Sequence, residues 1–165
     1  MPFDKNFVPA LRFAVMSDIH IDDEDCIEEQ RFAKALDDLK NLCSSDERYS
    51  GFDALVIVGD FASRGAEIQM RKVKKILDAG LPADVRLIMT MASHEYMTDG
   101  EENALCRFDE IFGLTPDTHA VINGFDFIAV TTTGGCHFDE KKRGFVSAEL
   151  EKAAERDGKK PIFFF

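Results

Sequence analysis

The sequence has no tryptophan and only four cysteines, Cys26, Cys43, Cys106 and Cys136, none of them in a C-x-x-C pair. Zinc-ribbon and thioredoxin-type chemistry therefore find no support. Basic residues are also in short supply, with 20 Lys and Arg against 31 Asp and Glu and a net charge of −11. A chain of this sign without a basic cluster is poorly suited to a phosphate backbone or an anionic bilayer surface, so neither nucleic acid nor membrane is expected as a partner. No run of 18 or more apolar residues occurs, which excludes an apolar helix across a bilayer. The stretch from Asn6 to Met16 is broken by Pro9 and Arg12 and lacks a small-residue cleavage pattern, so no secretory leader is expected. The cysteines are accordingly expected as reduced, half-buried thiols in a cytoplasmic protein. Thr131-Thr132-Thr133-Gly134-Gly135 carries no Lys after its glycines and is not a phosphate-binding loop.

What is present suffices for a core. Of 165 residues, 45% are hydrophobic and 15 are Phe, which predicts one domain spanning 1–165. A β-like run followed by a helix-period pattern recurs along the chain. Leu11 to Met16 predicts a strand, and Ile27, Phe32, Ala35, Leu36, Leu39 and Leu42 mark a helix by their three- and four-residue spacing. Asp53 to Val58 is a continuous apolar run expected of a strand buried on both faces. A second helix follows through Ile68, Val73, Ile76 and Leu77. Val85 to Met91 predicts a third strand, and Leu105, Phe108, Ile111 and Phe112 a third helix. The rhythm then changes: His119 to Ile122 and Phe125 to Val130 flank Asn123-Gly124, the signature of a hairpin with a type I′ turn. Ser147 is expected to cap a last helix carrying Leu150, Ala153 and Ala154, before a strand at Pro161 to Phe165. The alternation implies an α/β fold with a parallel sheet, to which the hairpin adds antiparallel strands.

In such sheets ligands gather beyond the carboxyl ends of the strands. The first predicted strand ends in Ser17-Asp18-Ile19-His20, the second in Gly59-Asp60 and the third in Ala92-Ser93-His94-Glu95. In an extended segment Asp18 and His20, two residues apart, point to one side. Each piece alone reads as a solvated strand end, a glycine turn or a helix start. Together they place Asp and His at three successive strand ends, and mixed carboxylate and imidazole donors suit Zn, Mn, Fe or Ni rather than Ca. Two other features read as surface: the acidic run Asp22 to Asp25 lacks the Gly and Glu of a calcium loop, and the basic run Arg71, Lys72, Lys74, Lys75 lies on one helix.

The spacing of Asp18-Ile19-His20, Gly59-Asp60 and Ser93-His94-Glu95 resembles the first three blocks of the calcineurin-like metallophosphoesterase family. That family's pattern runs Asp-x-His, Gly-Asp, Gly-Asn-His-Asp/Glu, then Gly-His and Gly-His-x-His. The resemblance implies an αββα sandwich with mixed sheets, incomplete at the C-terminus because the later histidine blocks do not occur before Phe165. It implies two divalent metal ions (Mn, Fe, Ni or Zn), Asp18 and His20 on the first, Asp60 bridging, and Ser93 on the second. His94 would contact the substrate phosphate and protonate the leaving oxygen. A metal-bound hydroxide between ions ~3.5–4 Å apart would then hydrolyse a phosphomonoester or phosphodiester.

Ala92-Ser93 stands where the family has Gly-Asn. A Ser hydroxyl is shorter than an Asn amide oxygen and a poorer donor, so the second site is expected to be the weaker. The remaining histidines do not replace the missing blocks. His119 is expected on the surface at the start of the hairpin, and His137, on a loop after a strand, as a residue able to approach the site. The alternative to an enzyme is a non-catalytic or truncated protein of this fold serving as an interaction module. An incomplete sheet leaves open edges, which predicts a homo-oligomer.

Overall fold

The computed structural model describes residues 6–156 and 160–165; the extent expected for the domain, 1–165, also takes in residues 1–5 and 157–159, which lie outside the described ones. The elements are β1 (Phe13–Met16), α1 (Ile27–Ser44), β2 (Ala54–Val58), α2 (Glu67–Gly80), β3 (Arg86–Thr90), a 3-10 turn (His94–Tyr96), α3 (Glu101–Phe112), β4 (Thr118–Ile122), β5 (Phe125–Ala129), α4 (Glu140–Ala154) and β6 (Ile162–Phe164). One sheet is parallel in the order β1-β2-β3, with Met16 beside Ile57 and Ile57 beside Met89. The other is mixed in the order β4-β5-β6, with β4 antiparallel to β5 and β6 parallel to it.

The two-residue alternation of a strand decides the layering. In β2, Leu55 and Ile57 pack with Phe32, Leu36, Val73 and Phe108 of the helices. Ala54 and Val56 face the other way and pack with Phe127 and Ala129 of β5. The apolar run expected to be buried on both faces thus lies between a helical layer and the second sheet. Phe13 wedges between the sheets, with ring centroids 5.0 Å from Phe127 and 4.7 Å from Phe163. Such edge-on pairs add about 0.5–1.5 kcal/mol beyond the area they bury. On the far face of the mixed sheet α4 packs against β5. The order is helices, sheet, sheet, helix, the expected αββα sandwich.

Asn123 and Gly124, with φ of 51° and 78°, make the hairpin turn in the left-handed geometry its sequence demands. Three local expectations are corrected. The last helix starts at Glu140, capped by the Asp139 carboxylate, which accepts the Lys142 N–H at 2.8 Å; Ser147 lies inside it. The first turns of α4 carry Glu140, Lys141, Arg143 and Gly144, so apolar periodicity has nothing to register there. The cysteines are not uniformly half-buried: Cys43 is buried, Cys26 intermediate, and Cys106 and Cys136 exposed. His119 is not a surface residue. Its side chain is 10% exposed and lies between Asp126 and Glu149, because His119 and Asp126 stand on the face of the hairpin that α4 covers.

At the amino-terminal edge of the parallel sheet Asp53 is taken up by structure. Its carboxylate accepts the Arg12 N–H at 2.8 Å, the Tyr49 hydroxyl, and the Asn123 amide at 2.8 Å. The carboxyl edge is arranged differently.

Candidate metal centre

Each parallel strand is followed by a turn that breaks the ladder. After β1 the pairing resumes only at Ile21, bridged to Ala62, where the His20 and Ile21 N–H groups donate to the Asp60 and Phe61 carbonyls at 3.0 Å each. In the interval Asp18, His20 and Asp60 have φ of 55°, 53° and 50°. Left-handed backbone costs an L-residue roughly 1–2 kcal/mol, and clusters of such strain mark functional sites. The expectation of an extended Asp18–His20 segment is therefore corrected. Both residues are kinked, yet Asp18 Oδ1 still comes within 3.8 Å of His20 Nε2.

His20, Asp60 and His94 each offer one ligand atom, and these atoms lie within 4.8 Å of one another. All three are half-buried, so the cluster is reachable from solvent. The His20 and His94 rings meet edge to face, with centroids 4.5 Å apart. Ser63, a residue that sequence reasoning did not single out, orients both. Its hydroxyl donates to the His20 carbonyl at 2.9 Å, and its own carbonyl lies 2.7 Å from His94 Nδ1. A carbonyl only accepts, so Nδ1 carries the proton and Nε2 is the nitrogen left for chemistry. Two imidazoles and a carboxylate form a donor set suited to a divalent transition metal. The residues present therefore fit the kind of ion that the sequence pattern implies.

The other expected residues stand at the margin. Asp18 is mostly exposed, at 67%, and bonded to the Ser17 hydroxyl at 2.6 Å. Ser93 is exposed at the start of the 3-10 turn. The turn Thr133–His137 closes over it: a Cβ on Gly135 would lie 2.5 Å from the Ser93 Cα. That turn brings His137 to the same side, where the exposed imidazole contacts the Cys136 thiol at 3.6 Å and stays outside the His20, Asp60, His94 group. The acidic run is held in place, since Gln69, fully buried, donates to Asp22 and Asp23.

Glu95 is the residue that sequence reasoning undervalued. It is fully buried, and its carboxylate accepts the N–H groups of Asp60, Ala62 and Ala92. Burial raises its carboxyl, and the three N–H donors offset that rise only in part, so that it stands at about 7. In the sequence it stood at a strand end and at the Asp/Glu position of the third block, with no role attached to it.

A sequence-family profile described as calcineurin-like phosphoesterase matches residues 11–158. No curated protein matches the chain.

Proposed function

The chain belongs to the calcineurin-like phosphoesterase family, and from that premise we propose that it hydrolyses phosphate monoesters or diesters with the help of divalent cations at the carboxyl edge of the β1-β2-β3 sheet. The observation that supports this reading most is the convergence of His20, Asp60 and His94 on turns whose backbone is strained. In the proposal His20 and Asp60 would hold the first ion with Asp18 beside them, and Asp60 and Ser93 would hold a second one more weakly. Divalent cations held there would supply charge for the phosphoryl oxygens and hydroxide near neutral pH. Manganese is the first metal to try.

The chain's own groups do the rest. The Ser63 carbonyl fixes the His94 ring through Nδ1–H and leaves Nε2 for the chemistry. In its protonated form Nε2–H donates to a phosphoryl oxygen and passes its proton to the departing alkoxide, a transfer that contributes on the order of 10²–10⁴ in rate. Asp60 Oδ1 accepts the His94 backbone N–H at 3.1 Å, so the cation ligand and the acid are tied together.

The experiment is turnover of p-nitrophenyl phosphate and its bis-ester after chelator treatment. Hydrolysis should stop, and return on adding Mn²⁺. His94→Asn should lower turnover and leave Mn²⁺ affinity near wild type, whereas His20→Ala should lower affinity. Absence of metal-dependent turnover at every pH would contradict the enzyme reading. A second reading, a non-catalytic protein of the same fold that holds one ion, is favoured by the single three-ligand group among the described residues. One bound ion per chain without turnover would select it.

A further inference from the structure

Asp60 holds a left-handed conformation at the end of a fully hydrogen-bonded strand, and something must keep it there. The loop that carries it, 59–65, is wedged against the segment 92–95 at two points. Gly59 has φ 71°, and a Cβ there would lie 2.5 Å from the Ala92 Cβ. Gly65 also has φ 71°, and a Cβ there would lie 1.9 Å from the Glu95 carbonyl oxygen. Neither position has room for a side chain: Gly65 meets the backbone of Glu95, and Gly59 meets the Cβ and backbone N of Ala92.

Between these two contacts sits the Glu95 carboxylate. Oε2 accepts the Asp60 N–H and the Ala92 N–H, both at 2.9 Å, and Oε1 accepts the Ala62 N–H at 3.0 Å. In return Asp60 Oδ1 accepts the His94 N–H at 3.1 Å. Each loop thus lends the other a carboxylate, and one buried side chain satisfies three backbone donors drawn from both.

We infer that Glu95 is a positioning residue for the metal centre: it acts through Asp60, clamping the turn after β2 to the turn after β3 so that Asp60 and His94 face one point. The inference rests on the proposal that this edge holds a divalent cation. Substitution by Gln is not conservative here. One of its two terminal atoms is an N–H donor that would face backbone N–H groups, and a buried donor left unpaired is costly. Asp keeps two acceptors but is one methylene short of the amides.

Two readouts on the full chain test this, for wild type, Glu95→Gln, Glu95→Asp and Leu36→Ala, a core control in α1. The first needs no metal: amide hydrogen exchange followed by NMR. The Asp60, Ala62 and Ala92 amides should be protected in wild type and exchange at least about 10-fold faster in Glu95→Gln, while the Val56 and Ile88 amides keep their protection. The second is Mn²⁺ titration, in which affinity should fall about 10- to 100-fold in Glu95→Gln and hold in Leu36→Ala. If Glu95→Gln does not fold, Glu95→Asp is read in the same way. A folded Glu95 variant with wild-type protection and affinity would overturn the inference, as would an equal loss of affinity in Leu36→Ala. Wild type that takes up no Mn²⁺ would overturn the metal proposal instead, while the exchange data still decide whether the clamp exists.

Discussion

Among the described residues two clusters of histidine and carboxylate differ in what they leave over. At the carboxyl edge of the parallel sheet, His20, Asp60 and His94 converge, and the hydrogen bond from His94 Nδ1 to Ser63 leaves Nε2 for chemistry. Between the hairpin and α4, the His119 ring is spanned by Glu149 Oε2 at Nδ1 and Asp126 Oδ1 at Nε2, both at 2.7 Å. Carboxylates only accept, so that geometry calls for both ring N–H groups. Lys152 and Arg156 then complete the row at Glu149 and Asp126. The same residue types make a saturated brace in one place and an under-coordinated pocket in the other. The backbone follows suit: Asp18, His20 and Asp60 are left-handed, whereas His119 sits in regular strand β4.

The contrast can be broken most forcefully at the brace. Truncation of His119 to Ala removes the bridge between two buried carboxylates and leaves them only Lys152 and Arg156, which should cost about 1–3 kcal/mol in chemical denaturation. Metal-dependent turnover per folded molecule should be unchanged. Asp60→Ala should do the reverse. Activity and Mn²⁺ affinity should each fall at least about 100-fold, since even partners outside the ligand shell are worth 10- to 100-fold, while the thermal midpoint moves little. Gly59→Ala sharpens the comparison from the side of strain. A side chain at φ 71° facing Ala92 should cost at least about 1–2 kcal/mol and weaken Mn²⁺ uptake as the turn shifts.

The smallest effect concerns pH. Lys152 first, and His119 next, hold the Glu149 carboxyl below its ordinary 4.5. A group depressed in the fold lends stability above 4.5, and that contribution is lost as pH falls through the depressed value. Glu149→Gln should therefore lower the urea midpoint at neutral pH and flatten the acid limb below pH 4.5, so that its profile meets that of wild type in acid.

Much of this was legible in the chain, and the failures have physical reasons. The β1 to α3 alternation could be read because apolar period and glycine stops are local signals. The hairpin could be read because Asn-Gly has few other uses. Asp18, His20, Asp60 and His94 were visible as polar residues at strand ends. The helix after Gly135 was misplaced at its start because its polar first turns carry no period, and a carboxylate cap at Asp139 looks like any loop aspartate. His119 was misjudged because burial of a charged brace depends on partners 7 and 30 residues away. Glu95 was undervalued because its partners are backbone amides, which every residue has. The extended reading of Asp18 and His20 failed because alternation holds only while the ladder lasts.

The central claim is that His20 and Asp60 hold a divalent cation at the point where His94 converges with them. Its most direct test is titration of chelator-treated protein with Co²⁺, followed by visible absorption, for wild type and His20→Ala. The account predicts saturable bands in wild type that are lost or displaced to much higher Co²⁺ concentration in His20→Ala. A wild-type chain without saturable bands, or a His20→Ala chain with bands like those of wild type, would contradict it.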